Sequence, residues 1–189
     1  MKIKNSLLIS ALFLLVSCET LTQGKSLFTS ENVPDTSVVE TSNKGLNSIS
    51  EKSSGLLNQT LELADKYIQS TKGQTQYREF VDKTINMGES EKTDYFQSLL
   101  PEQRTQILDT INNSSLMNNL NVSSDLLKKA IALKDEIQVG FKENALAMIN
   151  PFGEGNAISK ITSQINYSLN RLKFLKDQGE IAGIIQSLD

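Results

Sequence analysis

The stretch LNSISEKSSGLLNQTLELADKYI at residues 46–68 decides the fold, because its apolar and small side chains recur at helical spacing. Steps of three or four residues separate the members of this stripe: Leu46, Ile49, Ser53, Leu56, Thr60, Leu63 and Tyr67. Side chains at this spacing share one face of a helix, and that face is buried when helices pack together. The pattern predicts an amphipathic helix of a bundle that ends at Gly73.

Shorter amphipathic helices are predicted next, at residues 74–87, 90–100 and 101–112. Pro101 fits the first turn of its helix, where the missing N–H costs no hydrogen bond. No run of alternating β-branched residues is bounded by hairpin turns, so no strand competes with the helices. We therefore expect an all-α domain, a bundle of about five to six helices over residues 46–189.

The last third of the chain predicts two long helices and a short one. Polar residues 112–115 indicate a break, and Ser123 or Ser124 is the expected cap of the next helix. The apolar piece between them is expected to fold into the core: Leu116, Met117 and Leu120. The three helices are predicted at residues 124–149, 156–178 and 180–188, with Gly179 as the stop between the last two.

The segment before the domain has a different composition. Residues 19–45 are rich in Ser, Thr, Asn and Glu, and their apolar residues follow neither a helical nor a strand period. Pro34 also opposes a helix. The prediction is a flexible tether over residues 18–45, the alternative being an edge segment folded onto the domain.

The N-terminus has the pattern of an export signal over residues 1–17. Lys2 and Lys4 precede an apolar run from Leu7 to Val16, which is about half the roughly 20 residues that span a bilayer. At the end of the run, Leu15-Val16-Ser17-Cys18 resembles the lipobox of bacterial lipoprotein precursors. The resemblance implies cleavage between Ser17 and Cys18 and acylation of Cys18. The alternative is a secreted protein with a chance free thiol.

Composition excludes most common catalytic chemistry. The 189 residues contain no His and one Cys, so imidazole bases, catalytic triads and Cys- or His-based metal cages are ruled out. The net charge of −3 argues against general binding of nucleic acid. We therefore expect no enzymatic activity, no cofactor and no metal, and the oligomeric state is left open.

Two groups of charged residues are weighed as sites. Arg171, Lys173 and Lys176 are interleaved with apolar residues near a predicted helix C-terminus, so they form a candidate basic contact patch for a sulfated glycan or phosphate groups. The alternative is that these cations simply complement the helix dipole. The acidic residues Glu89, Glu91 and Asp94 lack the spacing of a calcium loop and are expected to be solvated.

The layout of an acylated Cys, a Ser/Thr-rich tether and a helical domain resembles the surface lipoproteins of Borrelia spirochaetes. The segment FQSLLPEQR at residues 96–104 is loosely similar to helix-opening segments of that family. The resemblance implies an outer-membrane, surface-exposed lipoprotein that binds a host serum or matrix protein or a glycan. The alternative is a periplasm-facing lipoprotein with a structural or assembly role.

Overall fold

Six α-helices make up most of the chain that the structure describes. The computed structural model describes residue 27 and residues 32–144 and 154–188. Within them no β-strand is present, and the prediction of an all-α bundle of five to six helices is confirmed. In chain order the helices are α1 (Lys44–Ser70), α2 (Thr75–Thr84), α3 (Glu89–Ser98), α4 (Pro101–Ile111), α5 (Ser114–Asn144) and α6 (Glu154–Gln186).

The three long helices, α1, α5 and α6, pack mainly on one another and form the core of the bundle. The stripe predicted for α1 is buried along its whole length, from Leu46 to Tyr67. Tyr67 meets Phe174 of α6 edge to face, with ring centroids 5.8 Å apart. Because burial of apolar area is the main stabilising contribution to folding, this three-helix contact holds the domain together.

The short helices α2, α3 and α4 pack beside this core through aromatic contacts and tight turns. Phe80 of α2 stacks on Tyr95 of α3 and meets Phe96 edge to face, with both centroid distances 6.1 Å. Gly73 has φ of 80°, a left-handed conformation that glycine adopts without strain, and it lies in the turn after the end of α1 at Ser70, three residues beyond the helix end. The connection into α2 is therefore a sharp turn rather than a continuation of the helix.

A break is present at residues 112–113, within the predicted stretch, because α4 ends at Ile111 and α5 begins at Ser114, but the predicted helix start at Ser123 or Ser124 is wrong. A single helix, α5, begins at Ser114, and the side chain of Asn113 accepts a hydrogen bond of 2.9 Å from the N–H of Ser115. Ser123 lies inside the helix and donates to the Leu120 carbonyl instead. The helix continues through the polar residues around Ser123 because Leu116 and Leu120, in the turns before it, are completely buried, as predicted for them.

The predicted stop at Gly179 is also wrong, because α6 runs through it as far as Gln186. A Cβ built on Gly179 would lie 3.4 Å from the Cβ of Leu120 in α5. The glycine therefore lets two long helices approach closely, a packing role that has the same sequence signature as a helix end. The end predicted for the preceding helix, near Ile149, lies outside the described residues.

The prediction of a flexible tether does not hold for residues 35–43. Helix α1 begins at Lys44, and the side chain of Asn43 caps it by accepting from the N–H groups of Gly45 and Leu46. Residues 35–41, called the strap below, have no regular secondary structure, but they are hydrogen-bonded to α1 and α6. Leu27, further towards the N-terminus, is buried in the core. Periodicity does not detect this packing, because the strap is held through its backbone.

Candidate functional site

The strap lies in a groove whose α6 side is formed by Gln164. This side chain is completely buried, and its Nε2 donates to the carbonyls of Asp35 at 2.7 Å and Ser37 at 3.3 Å. Its Oε1 accepts a 2.6 Å hydrogen bond from Ser53 of α1. One amide therefore joins α1, α6 and the strap, and its donor and acceptor groups are all used.

The α1 side of the groove consists of small hydroxyl side chains. Ser54 donates to the carbonyl of Thr36 at 2.5 Å, and Ser50 accepts from the N–H of Val39 at 2.7 Å. Because Thr36 bonds to residue 54 and Val39 to residue 50, the strap runs antiparallel to α1. Serines at these positions leave room for a polypeptide backbone to lie against the helix.

A charged contact closes the outer edge of the groove. Lys160 of α6 pairs with Asp35 at 2.5 Å, and its ammonium group also donates to the hydroxyl of Ser37. The N–H of Ser37 donates to the same carboxylate at 2.9 Å. The hydrogen bond from Lys160, followed by those from Ser37, lowers the pKa of Asp35 to about 2. Asp35 therefore stays ionised at any physiological pH.

The strap joins α1 through a tight turn at Thr41. Its N–H donates to Oδ1 of Asn47 at 2.7 Å, and Nδ2 of Asn47 returns a 3.0 Å hydrogen bond to the Thr41 carbonyl. This reciprocal pair lies at the end of the strap nearest α1, whereas the contacts of Asp35 lie at the other end. The strap is therefore held at both of its ends.

The arrangement is suited to holding an extended polypeptide. Three side chains of the groove (Ser50, Ser54 and Gln164) contact main-chain atoms of the strap, and Lys160 contacts its side chains. Val38 of the strap remains 43% exposed and Val39 is half-buried, so neither valine is part of the buried core. The groove therefore holds the strap through its backbone and one carboxylate.

The candidate basic contact patch is not assembled as one exposed surface. Arg171 is only 4% exposed, and its guanidinium lies 5.2 Å from the ring centroid of Tyr167. Lys176 pairs with Glu180 one turn further along α6, and that hydrogen bond raises the pKa of Lys176. Lys173 is half-buried near Asp177, whose pKa is raised mainly by burial. These cations support packing and local charge balance on α6.

The other predicted residues contribute no assembled site to the described part of the chain. Ser17 and Cys18, the predicted cleavage and lipidation positions, lie outside it. Glu89 and Glu91 lie in the first turn of α3, where Glu91 accepts from the N–H of Gly88 and caps the helix. Among the described residues no group of three or more acidic or Cys side chains could hold a metal ion.

Sequence reasoning missed the groove, although part of its signal is present in the stripe of α1. Ser53 occupies a stripe position where an apolar residue is usual, and Gln164 lies beside Ile165 on the buried face of α6. Polar residues on a buried face need partners. That rule predicts a buried hydrogen bond at this level of the bundle, but it does not identify the strap as the partner.

Comparison of the chain with family models, curated proteins and solved structures found no match. None of the helices in the described ranges combines the length and apolar composition needed to cross a bilayer. Any function must therefore be argued from the N-terminal sequence and from the chemistry of the strap groove.

Proposed function

We propose that this chain is a lipid-anchored lipoprotein of the bacterial cell surface whose helical domain acts by binding a host serum protein, matrix protein or glycan. The observation that carries the proposal is Leu15-Val16-Ser17-Cys18 at the end of a short apolar run. Two acyl chains give durable attachment to a membrane, because each buried CH₂ contributes about 0.8 kcal/mol. Cys18 is the attachment point in this proposal.

The position of Leu27 limits how far such an anchor lets the domain move. Leu27 is buried in the core and lies nine residues after Cys18. A fully extended chain reaches at most ~3.3–3.6 Å per residue, so Leu27 would stay within about 30 Å of the anchored residue. In this proposal the domain is held close to the membrane surface, and its partner must be able to reach it there.

The anchor is tested by metabolic labelling with radioactive palmitate. The wild-type chain should be labelled and should sediment with the cell envelope, whereas Cys18→Ala should lose both properties. Ser17→Ala keeps a small residue before the cleavage position and is the matched control that should behave like the wild type. An unlabelled wild-type chain, or a Cys18→Ala chain that sediments equally well, would contradict the proposal.

Surface exposure is tested by treating intact cells with a protease. A surface lipoprotein should be degraded in intact cells, whereas the periplasm-facing alternative predicts that the chain survives until the outer membrane is permeabilised. Binding is then tested by capture of serum and matrix components on the purified full chain. Saturable capture supports the binding role, and degradation on the surface without any saturable partner argues against it.

A further inference from the structure

The groove between α1 and α6 recognises features that many extended polypeptides share. Gln164 and Ser54 donate to carbonyls of the strap, and Ser50 accepts from one of its N–H groups. Lys160 contacts the side chains of Asp35 and Ser37, and Asn47 of α1 accepts a hydrogen bond from the hydroxyl of Thr41 at the other end of the strap. Any extended segment with a carboxylate and, two residues later, a hydroxyl group offers the same set of partners.

The strap is attached by contacts that another segment could replace. Val38 is 43% exposed, Asp35 lies on the surface and Val39 is half-buried, and no strap residue belongs to the buried apolar core. Hydrogen bonds with the groove replace hydrogen bonds with water, and ordering an extended segment costs conformational entropy. A segment held mainly by such contacts is displaced more easily than one held by apolar packing.

The groove nevertheless needs an occupant. Ser50 and Gln164 are completely buried while the strap is in place. Without the strap, the Nε2 donor of Gln164 and the hydroxyl groups of Ser50 and Ser54 would lose their partners in a gap between two helices. An incoming extended segment restores these hydrogen bonds, because its main chain presents the same carbonyl and N–H groups.

We infer that the groove formed by Ser50, Ser54, Lys160 and Gln164 is a binding site for an extended acidic segment of a partner protein, and that the strap occupies it as an internal competitor. The partner segment carries the pattern Asp-x-Ser, as Asp35-Thr36-Ser37 does in the strap. This inference deepens the proposed binding function and rests on it for the partner. Occupancy of the groove, however, is measured independently of the anchor.

The test uses a fluorescent peptide of residues 32–42, NVPDTSVVETS, and the full chain purified in detergent. In the full chain, the double substitution Asp35→Ala and Ser37→Ala weakens the internal strap but leaves every groove residue unchanged. The peptide should bind this variant about tenfold more tightly than the wild type, because the groove is free for a larger fraction of the time. Absence of saturable binding to the variant would overturn the inference.

Lys160 provides the specificity control. In the double variant, Lys160→Ala should weaken peptide binding, whereas Lys52→Ala should not, because Lys52 is an exposed lysine of α1 that pairs with Glu136. If Lys160→Ala perturbs folding, a charge exchange separates the two effects. A peptide with Asp35→Lys should bind the double variant that also carries Lys160→Glu better than it binds the double variant in which Lys160 is unchanged. Peptide affinity that does not change with the charges at position 160 of the chain and position 35 of the peptide would overturn the inference.

Exchange of straps between two copies of this chain is the competing outcome. A dimer of the wild-type chain in light scattering that is lost in Lys160→Ala would assign the groove to a second copy and overturn the partner assignment. A monomer that binds the peptide supports it. None of these measurements depends on acylation of Cys18. A negative peptide-binding result therefore does not alter the interpretation of palmitate labelling, and a chain that is not labelled by palmitate can still be tested for peptide binding.

Discussion

The buried face of α1 has two halves of different chemistry. The N-terminal half buries Leu46, Ile49 and Leu56, but it also carries the serines at positions 50, 53 and 54, which face the strap and Gln164. In the C-terminal half, Leu57, Leu63 and Tyr67 are buried, and Tyr67 contacts Phe174 of the same helix α6. The spacing of the stripe does not change between the halves, so the identity of the side chains alone decides what packs against the helix.

We expect the two halves of α1 to have different roles: apolar contacts stabilise the fold, and polar contacts determine which segment lies between the helices. Apolar packing is non-directional and proportional to the area removed from water, and in the C-terminal half the contact of Tyr67 with Phe174 adds such packing between α1 and α6. Hydrogen bonds of the N-terminal half are directional and contribute less net free energy each, so they select what lies between the helices. The predictions below test whether the two halves divide these roles.

The largest expected effect is in the apolar half. Phe174 is 1% exposed and meets Tyr67 edge to face, so Phe174→Ala removes buried area and leaves a cavity. We expect the free energy of unfolding to fall by about 3–5 kcal/mol. Chemical denaturation followed by circular dichroism measures this change.

Leu100 provides the control for that substitution. It is 65% exposed, so Leu100→Ala should change the free energy of unfolding by less than about 0.5 kcal/mol. A loss for Phe174→Ala as small as this would mean that the apolar half does not hold the bundle together.

The polar half should show a smaller loss of stability and a larger change at the strap. Gln164→Ala removes the donor to Asp35 and Ser37 and the acceptor of the Ser53 hydroxyl. A buried polar group left without its partner costs about 1–3 kcal/mol, so unfolding should become easier by this amount. Hydrogen exchange at the N–H of Val39 should accelerate more than exchange in the C-terminal half of α1.

The neighbouring exposed residue provides the comparison for Gln164. Ser163→Ala changes a surface position of α6 and should leave both stability and strap exchange unchanged. Equal exchange rates at Val39 in Gln164→Ala and in the wild type would show that Gln164 does not retain the strap.

Two glycines, one inside α1 and one in the turn that follows it, should show smaller effects of opposite sign. Gly55 lies within the helix with no atom near an added Cβ, so Gly55→Ala should raise the free energy of unfolding by about 0.5–1 kcal/mol. Gly73 has φ of 80°, so Gly73→Ala should lower it by about 1–2 kcal/mol. Denaturation midpoints measure both changes, and changes of the same sign would refute this assignment.

The sequence predicted the parts of the fold that depend on periodic burial, and it missed those that depend on specific contacts. The stripe from Leu46 to Tyr67 identified α1 within two residues of its observed start. Gly179 was misassigned as a stop because close packing against Leu120 and a helix end both favour glycine. The strap groove escaped prediction because Gln164 contacts backbone atoms from residues about 130 positions away, and backbone atoms leave no pattern in the sequence.

The smallest effect concerns the charge at the edge of the groove. The pKa of Asp35 is lowered from 3.8 to about 2, so its contribution to holding the strap is present above pH 3.8 and is lost as the pH falls towards 2. A carbon-13 NMR titration of the Asp35 carboxyl group should give a midpoint near 2. Lys160→Ala should return the midpoint towards 3.8, whereas Lys128→Ala, which removes an exposed partner of Asp125, should not move it. A wild-type midpoint at 3.8 would mean that Lys160 does not hold the strap in solution, and the polar half of α1 would then lose its charged contact.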